Sequence, residues 1–196
     1  MANKGKYYES QFEEATIELL HESHWQYTFG DDIHRKYTDP LIEEDLRTFL
    51  TAQYKDKKLT ASEVDSIVAN LRNTGGQNDY YALQNTFLLY RDGYDFTYSD
   101  GRSNPFRLEY IDFEHPDHNI FRCVNQFVME QGRENRRPDI LLFINGIPVC
   151  IIELKNPTKQ NATIHDAHTQ ICTRYMRDIP ALLKYCALAV ISDGAK

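Results

Sequence analysis

Asp139, Glu153 and Lys155 are the residues of this chain whose types and spacing could do chemistry. They bracket two apolar runs, Ile140 to Ile144 and Ile147 to Ile152, within the stretch RRPDILLFINGIPVCIIELKNP at 136–157. Asn145-Gly146 between such runs is a strong hairpin signal, and a buried hairpin needs no charges at its open end. Two carboxylates brought close repel and resist joint ionisation unless a divalent cation lies between them. A hard ion such as Mg²⁺ takes one or two carboxylates, a backbone carbonyl and waters, which leaves room for a phosphate oxygen and a nucleophilic water. A lysine alongside can orient that water or stabilise charge building on the phosphate. The chemistry implied is metal-assisted phosphodiester hydrolysis. An isolated Glu-x-Lys is ordinarily a solvated edge pair, but here an acid-acid-lysine set closes an otherwise apolar hairpin.

Whether the acids meet depends on register. A plain two-residue Asn145-Gly146 loop pairs Ile144 with Ile147, sets Asp139 opposite Ile152 and turns it away from the face of Glu153. An odd-length loop or a β-bulge sets Asp139 against Glu153, with Pro148 where no ladder donor is required. Side chains alternate along IIELK, so Glu153 and Lys155 share a face and Leu154 points to the core.

The elements that must position these groups follow from pattern. Residues 8–24 predict an amphipathic helix with Phe12, Ala15, Thr16, Leu19 and Leu20 near one face. Asp39-Pro40 reads as the cap and first turn of a second helix, Thr60 or Ser62 caps a third that ends at Gly75-Gly76, and 78–92 continues the helical pattern. The passage from Trp25 to Tyr37 reads as irregular or short strand. After Gly93 strands are expected at 106–113, 119–130 and in the two quoted runs, then a helix at about 163–178 and a buried final strand at 185–192. The fold class is α/β, with a central mixed sheet flanked by helices. One domain over 1–196 is expected, helical over about 5–92 and sheet-centred over about 93–196.

Composition narrows the partners. The net charge of −7 is unevenly spread: 12 Lys+Arg stand against 22 Asp+Glu in residues 1–119, but 10 against 7 in 120–196. The segment holding the acid pair is therefore the basic one, as a local DNA-facing surface on an acidic body requires. Cys123, Cys150, Cys172 and Cys186 form no CxxC pair and read as reduced, mostly buried thiols, which points to the cytoplasm. There is no membrane-length apolar run, no signal-peptide core at the start, and no GxxxxGK loop to cradle ATP phosphates.

Pro138-Asp139 with Glu153-Leu154-Lys155 resembles the PD-(D/E)xK nuclease signature. Together with YIDFEHPDHNIFRCVNQF (110–127), HDAHTQICTRYMRDIPALLKY (165–185) and ISDG (191–194), the chain is similar over almost its whole length to the N-terminal endonuclease domain of type I restriction subunits. The resemblance implies a restriction-endonuclease-like fold in which Asp139, Glu153 and the Leu154 carbonyl bind Mg²⁺ and Lys155 acts at the scissile phosphate. It implies that Gln170 and Tyr175 fill the place of a QxxxY element, with four intervening residues instead of three, and that Glu13 of the first helix joins the site, Glu9 and Glu14 being the alternatives. It further implies double-stranded DNA as substrate, ATP-driven motor domains beyond this chain, and modification and specificity subunits as partners. A stand-alone nuclease of repair or defence, or a non-catalytic DNA-binding or docking module, are the competing readings.

Arg137 and Arg174, with Arg133, Arg136, Lys159 and Arg177, lie near the site in sequence and are candidates for phosphate contact. His165, Asp166 and His168 read as a helix start, not a zinc site, and Asp117 to Asn119 as a turn.

Overall fold

The computed structural model describes residues 9–102, 104–155 and 164–193. Its centre is a five-stranded mixed sheet in the order β1-β4-β7-β8-β9, where β1 is Gln26–Phe29, β4 Phe121–Asn125, β7 Ile140–Ile144, β8 Ile147–Leu154 and β9 Leu188–Ser192. β1 runs parallel to β4 and β9 parallel to β8, while β4, β7 and β8 are antiparallel neighbours. An α/β architecture with a central mixed sheet is thus what the chain adopts. The short strand in the Trp25 to Tyr37 passage is β1.

Both faces of the sheet are covered, which is why β7 and β8 are apolar on both sides. On one face Cys123, Ile140, Cys150, Ile152 and Leu154 pack against α1, Glu9–Glu22, through Phe12, Ile17 and Leu20. On the other, Val124, Leu141, Phe143 and Ile151 pack against Ile171, Tyr175, Ile179 and Leu182 of the C-terminal helical segment. A third core joins α2 (Glu43–Gln53), α3 (Ala61–Asn73) and α4 (Asp79–Asp92) to the aromatic ribbon of β2 (Tyr94–Phe96) and β3 (Phe106–Leu108). Arg122 ties this part to the sheet: its guanidinium grips the buried Asp45 at 2.6 and 2.8 Å and donates to Thr28 Oγ1 at 2.7 Å.

Several expectations are corrected. The buried face of α1 is rotated from the one read in sequence: Ala15 and Leu19 are exposed, and Ile17 takes a place on the sheet side. The second helix starts at Glu43, not at Pro40, because Ile42 N donates to Gly146 O at 2.9 Å and Asp39 Oδ1 holds Leu41 N in a turn at 3.1 Å. Strand structure ends at Leu108, short of 113, because Asp112 folds its own following backbone into a turn. The 119–130 run is broken into β4 and β5 (Met129–Gln131), which pairs with β6 (Glu134–Arg136). β9 is an edge strand and not a buried one, with Leu188 64% and Val190 42% exposed. The Thr60 start of α3 is as expected, reinforced by a reciprocal capping box with Glu63. Among the described residues no helix is long and apolar enough to cross a membrane.

Candidate active site

The hairpin resolves the register question by using both devices. Asn145 and Gly146 form a two-residue turn with φ of 51° and 76°, and Ile144 pairs with Ile147 and Phe143 with Pro148. The register then shifts: Leu142 pairs with Cys150, Leu141 with Ile151 and Ile140 with Ile152, leaving Val149 as the extra residue of a bulge. Continued outward, that register sets Asp139 against Glu153. Without the bulge Ile152 would stand there.

Asn145 contributes more than a turn conformation. It is fully buried, accepts from Ile120 N at 2.7 Å and donates to Tyr110 O and Asn119 Oδ1 at 2.9 and 2.8 Å. Gly146 lies so close to α2 that an added Cβ would stand 2.1 Å from Ile42 O. The closed end of the hairpin is therefore clamped, which fixes where its open end presents the acids.

Glu153 is 0% exposed, and its carboxylate is surrounded by donors. Tyr175 OH donates to Oε1 at 2.7 Å, while Gln170 Nε2 and Lys155 Nζ donate to Oε2 at 2.7 and 3.3 Å. Gln170 Nε2 also reaches Tyr175 OH at 2.7 Å. Burial, and then the charge of Asp139, push the Glu153 carboxyl up to about 7 against the pull of Tyr175 and Lys155. Burial beside Glu153 likewise pushes the Tyr175 hydroxyl far up, so it stays a donor. Asp139 Oδ2 accepts from Leu154 N at 2.8 Å. Because N–H and C=O of one strand residue point to the same side, the Leu154 carbonyl is directed toward Asp139 as well, whereas Lys155 N turns the other way to Ser192 O at 2.8 Å.

This donor set fits a hard cation. Two opposed acids, one of them buried and pushed up first by that burial and then by its neighbour, are the oxygen ligands such an ion takes, and the Leu154 carbonyl points to the same side.

Gln170 and Tyr175 share Glu153 for a reason that spacing alone does not show. In a regular α-helix, residues five apart are roughly 140° apart around the axis. Here α5 (Ile164–Thr169) runs into a π-helical turn, Gln170–Tyr175, before α6 (Met176–Asp178). The i→i+5 bonding of that turn stacks the two side chains.

Glu13 sits on α1 at the same strand end. Its carboxylate accepts from Asn125 Nδ2 at 2.8 Å and Gln126 Nε2 at 3.0 Å, and Gln126 N donates to Asp139 O at 3.2 Å. Glu14 is exposed. Arg137 and Arg174 are exposed, whereas Arg136 and Arg177 are tied to Asp178; Lys159 lies outside the described residues. His165 and His168 fall on α5, as read, and Pro116–His118 is a single 3₁₀ turn.

The sequence comparisons agree with one another. The model of the family described as type I restriction enzyme R protein N terminus matches residues 6–196. The chain is 30% identical over 196 residues to the type I restriction enzyme HindI endonuclease subunit of Haemophilus influenzae, covering 95% of this chain and 18% of that protein. It is 33% identical over 105 residues to the type I restriction enzyme EcoprrI endonuclease subunit of Escherichia coli, covering 52% of this chain and 31% of that protein. The chain thus spans less than a third of the length of these relatives. With the family model matching nearly every residue and the hairpin placing Asp139 against Glu153, the chain belongs to the type I restriction enzyme R protein N-terminal family.

Proposed function

We propose that the chain is a Mg²⁺-dependent endonuclease domain of the PD-(D/E)xK class that hydrolyses phosphodiester bonds of double-stranded DNA. The observation that carries this reading is the bulged hairpin, which opposes Asp139 to a fully buried Glu153 beside Lys155. Asp139, Glu153 and the Leu154 carbonyl would hold Mg²⁺. When bound, the ion would supply Lewis-acid polarisation of the phosphate and a water of lowered pKa.

The protein's own groups prepare the rest. Lys155 Nζ, with its side chain 12% exposed, reaches the rim of the site beside Glu153 and can orient the attacking water or neutralise charge gathering on the phosphate oxygens. Tyr175 and Gln170 fix the rotamer of Glu153. Tyr175 is 2% exposed with its hydroxyl committed to Glu153, so positioning is the role proposed for it. Glu13 steadies Gln126, which in turn holds the backbone of Asp139. Arg137 and Arg174 are the proposed phosphate contacts.

The relatives' length supports a wider proposal: residues 1–196 act as one cutting unit in a cytoplasmic subunit that carries ATP-driven motor domains and assembles with modification and specificity subunits. The test compares Mg²⁺ binding and plasmid nicking by the wild-type chain, Asp139→Ala and Glu153→Ala. Binding lost in both variants supports the site, even where nicking awaits the motor. Equal behaviour of all three proteins reduces the acids to a structural pair with no part in cation binding. Vigorous cutting without ATP indicates a stand-alone nuclease instead, and folded wild type without Mg²⁺ binding indicates a non-catalytic docking module.

A further inference from the structure

We propose that Asp112, His115 and His118 form a second metal site, separate from the acid pair, that takes a transition ion of the zinc class. The three residues project one ligand atom each into a common space, all within 4.8 Å of one another. His118 Nδ1 is 3.0 Å and His115 Nδ1 3.5 Å from Asp112 Oδ2. Ligand atoms on a tetrahedral zinc, with bonds of about 2.0–2.1 Å, are separated by roughly 3.3–3.4 Å, which both Asp112–histidine distances already approach.

The carboxylate is set before any ion arrives. Asp112 Oδ1 accepts from Glu114 N at 3.1 Å and His115 N at 2.8 Å, which bends the chain so that both imidazoles return to Oδ2. Gln53 Nε2 on α2 donates to Oδ2 at 2.9 Å, the kind of outer partner that orients a metal-binding carboxylate. Asn119 closes the loop, donating to Asp112 O at 2.7 Å and accepting from Asp112 N at 2.9 Å. The two imidazoles are nearly parallel, 19° between planes with centroids 5.0 Å apart, and direct the same nitrogen to the same oxygen. Without an ion, that one oxygen faces two imidazole nitrogens as well as an amide donor. An ion replaces two competing donors with two ligands.

Ligand chemistry selects the metal. Two imidazoles with one carboxylate suit Zn²⁺, Co²⁺ or Ni²⁺, while Mg²⁺ prefers oxygen throughout. His115 and His118 side chains are 62% and 56% exposed, which leaves coordination positions open to water. Asn119 donor and acceptor contacts lead through Asn145 to the closed end of the hairpin, roughly 20 Å of strand from Asp139. The ion therefore stands apart from the proposed phosphodiester site, on a loop that Gln53 already ties to α2.

The experiment titrates Zn²⁺ into chelator-stripped chain by calorimetry and repeats it with Co²⁺ while recording visible absorption. With excess Mg²⁺ present to hold the acid pair, the wild type should bind one equivalent and develop cobalt d–d bands, with its melting temperature raised by Zn²⁺. His115→Ala and His118→Ala, both at exposed positions, should each weaken binding by at least roughly 100-fold, as loss of a direct ligand exceeds the 10–100-fold cost of losing an outer partner. Asp112→Asn, which retains the turn contacts through its amide oxygen, should weaken it likewise. Asp139→Ala and His168→Ala should bind as the wild type does. Zn²⁺ affinity unchanged by the two histidine variants, or abolished by His168→Ala, or absent from the folded wild type, would overturn the proposal.

Discussion

Mg²⁺ binding at the acid pair should expel a proton from Glu153, and its affinity should follow pH accordingly. The carboxyl of Glu153 is held up at about 7 by burial and by Asp139, against an ordinary value of 4.5. Below about pH 7 the cation must displace that proton, so apparent affinity should fall about tenfold per pH unit, or about 1.4 kcal/mol. Between pH 7 and pH 5 the loss is then roughly 100-fold. The metal-free chain should show the mirror of this in its stability. A carboxyl raised in the folded state contributes stability that is fully present below its unfolded pKa and is lost as pH rises through about 7. The shift corresponds to something on the order of 3 kcal/mol at most. Calorimetry at pH 6 in two buffers of different ionisation enthalpy counts the released protons directly. About one proton should appear in the wild type and none in Glu153→Gln. Equal Mg²⁺ affinity at pH 5.5 and 7.5, with heats that do not depend on buffer, would refute the reasoning.

Other consequences are local. Tyr175→Phe removes a buried donor to Glu153 and a partner of Gln170; about 1–3 kcal/mol of stability should be lost in urea unfolding, with weaker Mg²⁺ binding. Deleting exposed Cys172 should convert the π turn to regular α-helix and leave Gln170 and the tyrosine still sharing Glu153. That variant should keep Mg²⁺ affinity within about twofold of the wild type, and a loss as large as that of Tyr175→Phe would contradict the π-turn account. Asn145→Ala strips three hydrogen bonds from a fully buried residue with positive φ and should cost about 3 kcal/mol or more by the same urea assay.

Much of the hairpin was legible because Asn-Gly and the flanking apolar runs are local signals. So was the need for an odd-length loop or a bulge, since only one residue of slippage brings the two acids to one face. The bulge's position at Val149 was not legible, because it depends on the turn docking against Ile42 of the neighbouring helical region. Helix periodicity placed α1 and the sheet-facing Phe12 and Leu20 but not the exact edge of that face: Ile17 competes with Leu19 for burial, and only the sheet decides. The π turn was invisible to a 3.6-residue reading, although the extra residue between Gln170 and Tyr175 was its trace. The Asp112, His115 and His118 cluster went unread because it lies in an irregular segment around a single 3₁₀ turn, where spacing carries no signal; a turn folded by Asp112 itself gathers the three.

The account rests most directly on a cation seated between Asp139 and Glu153. Crystals of the chain soaked in Mn²⁺ as a stand-in for Mg²⁺ would show it by anomalous scattering. The predicted map has a peak bridging the two carboxylates beside Leu154 O, lost in Asp139→Ala. A map with no peak there while the loop at Asp112 or any other surface site is occupied would contradict the proposed chemistry.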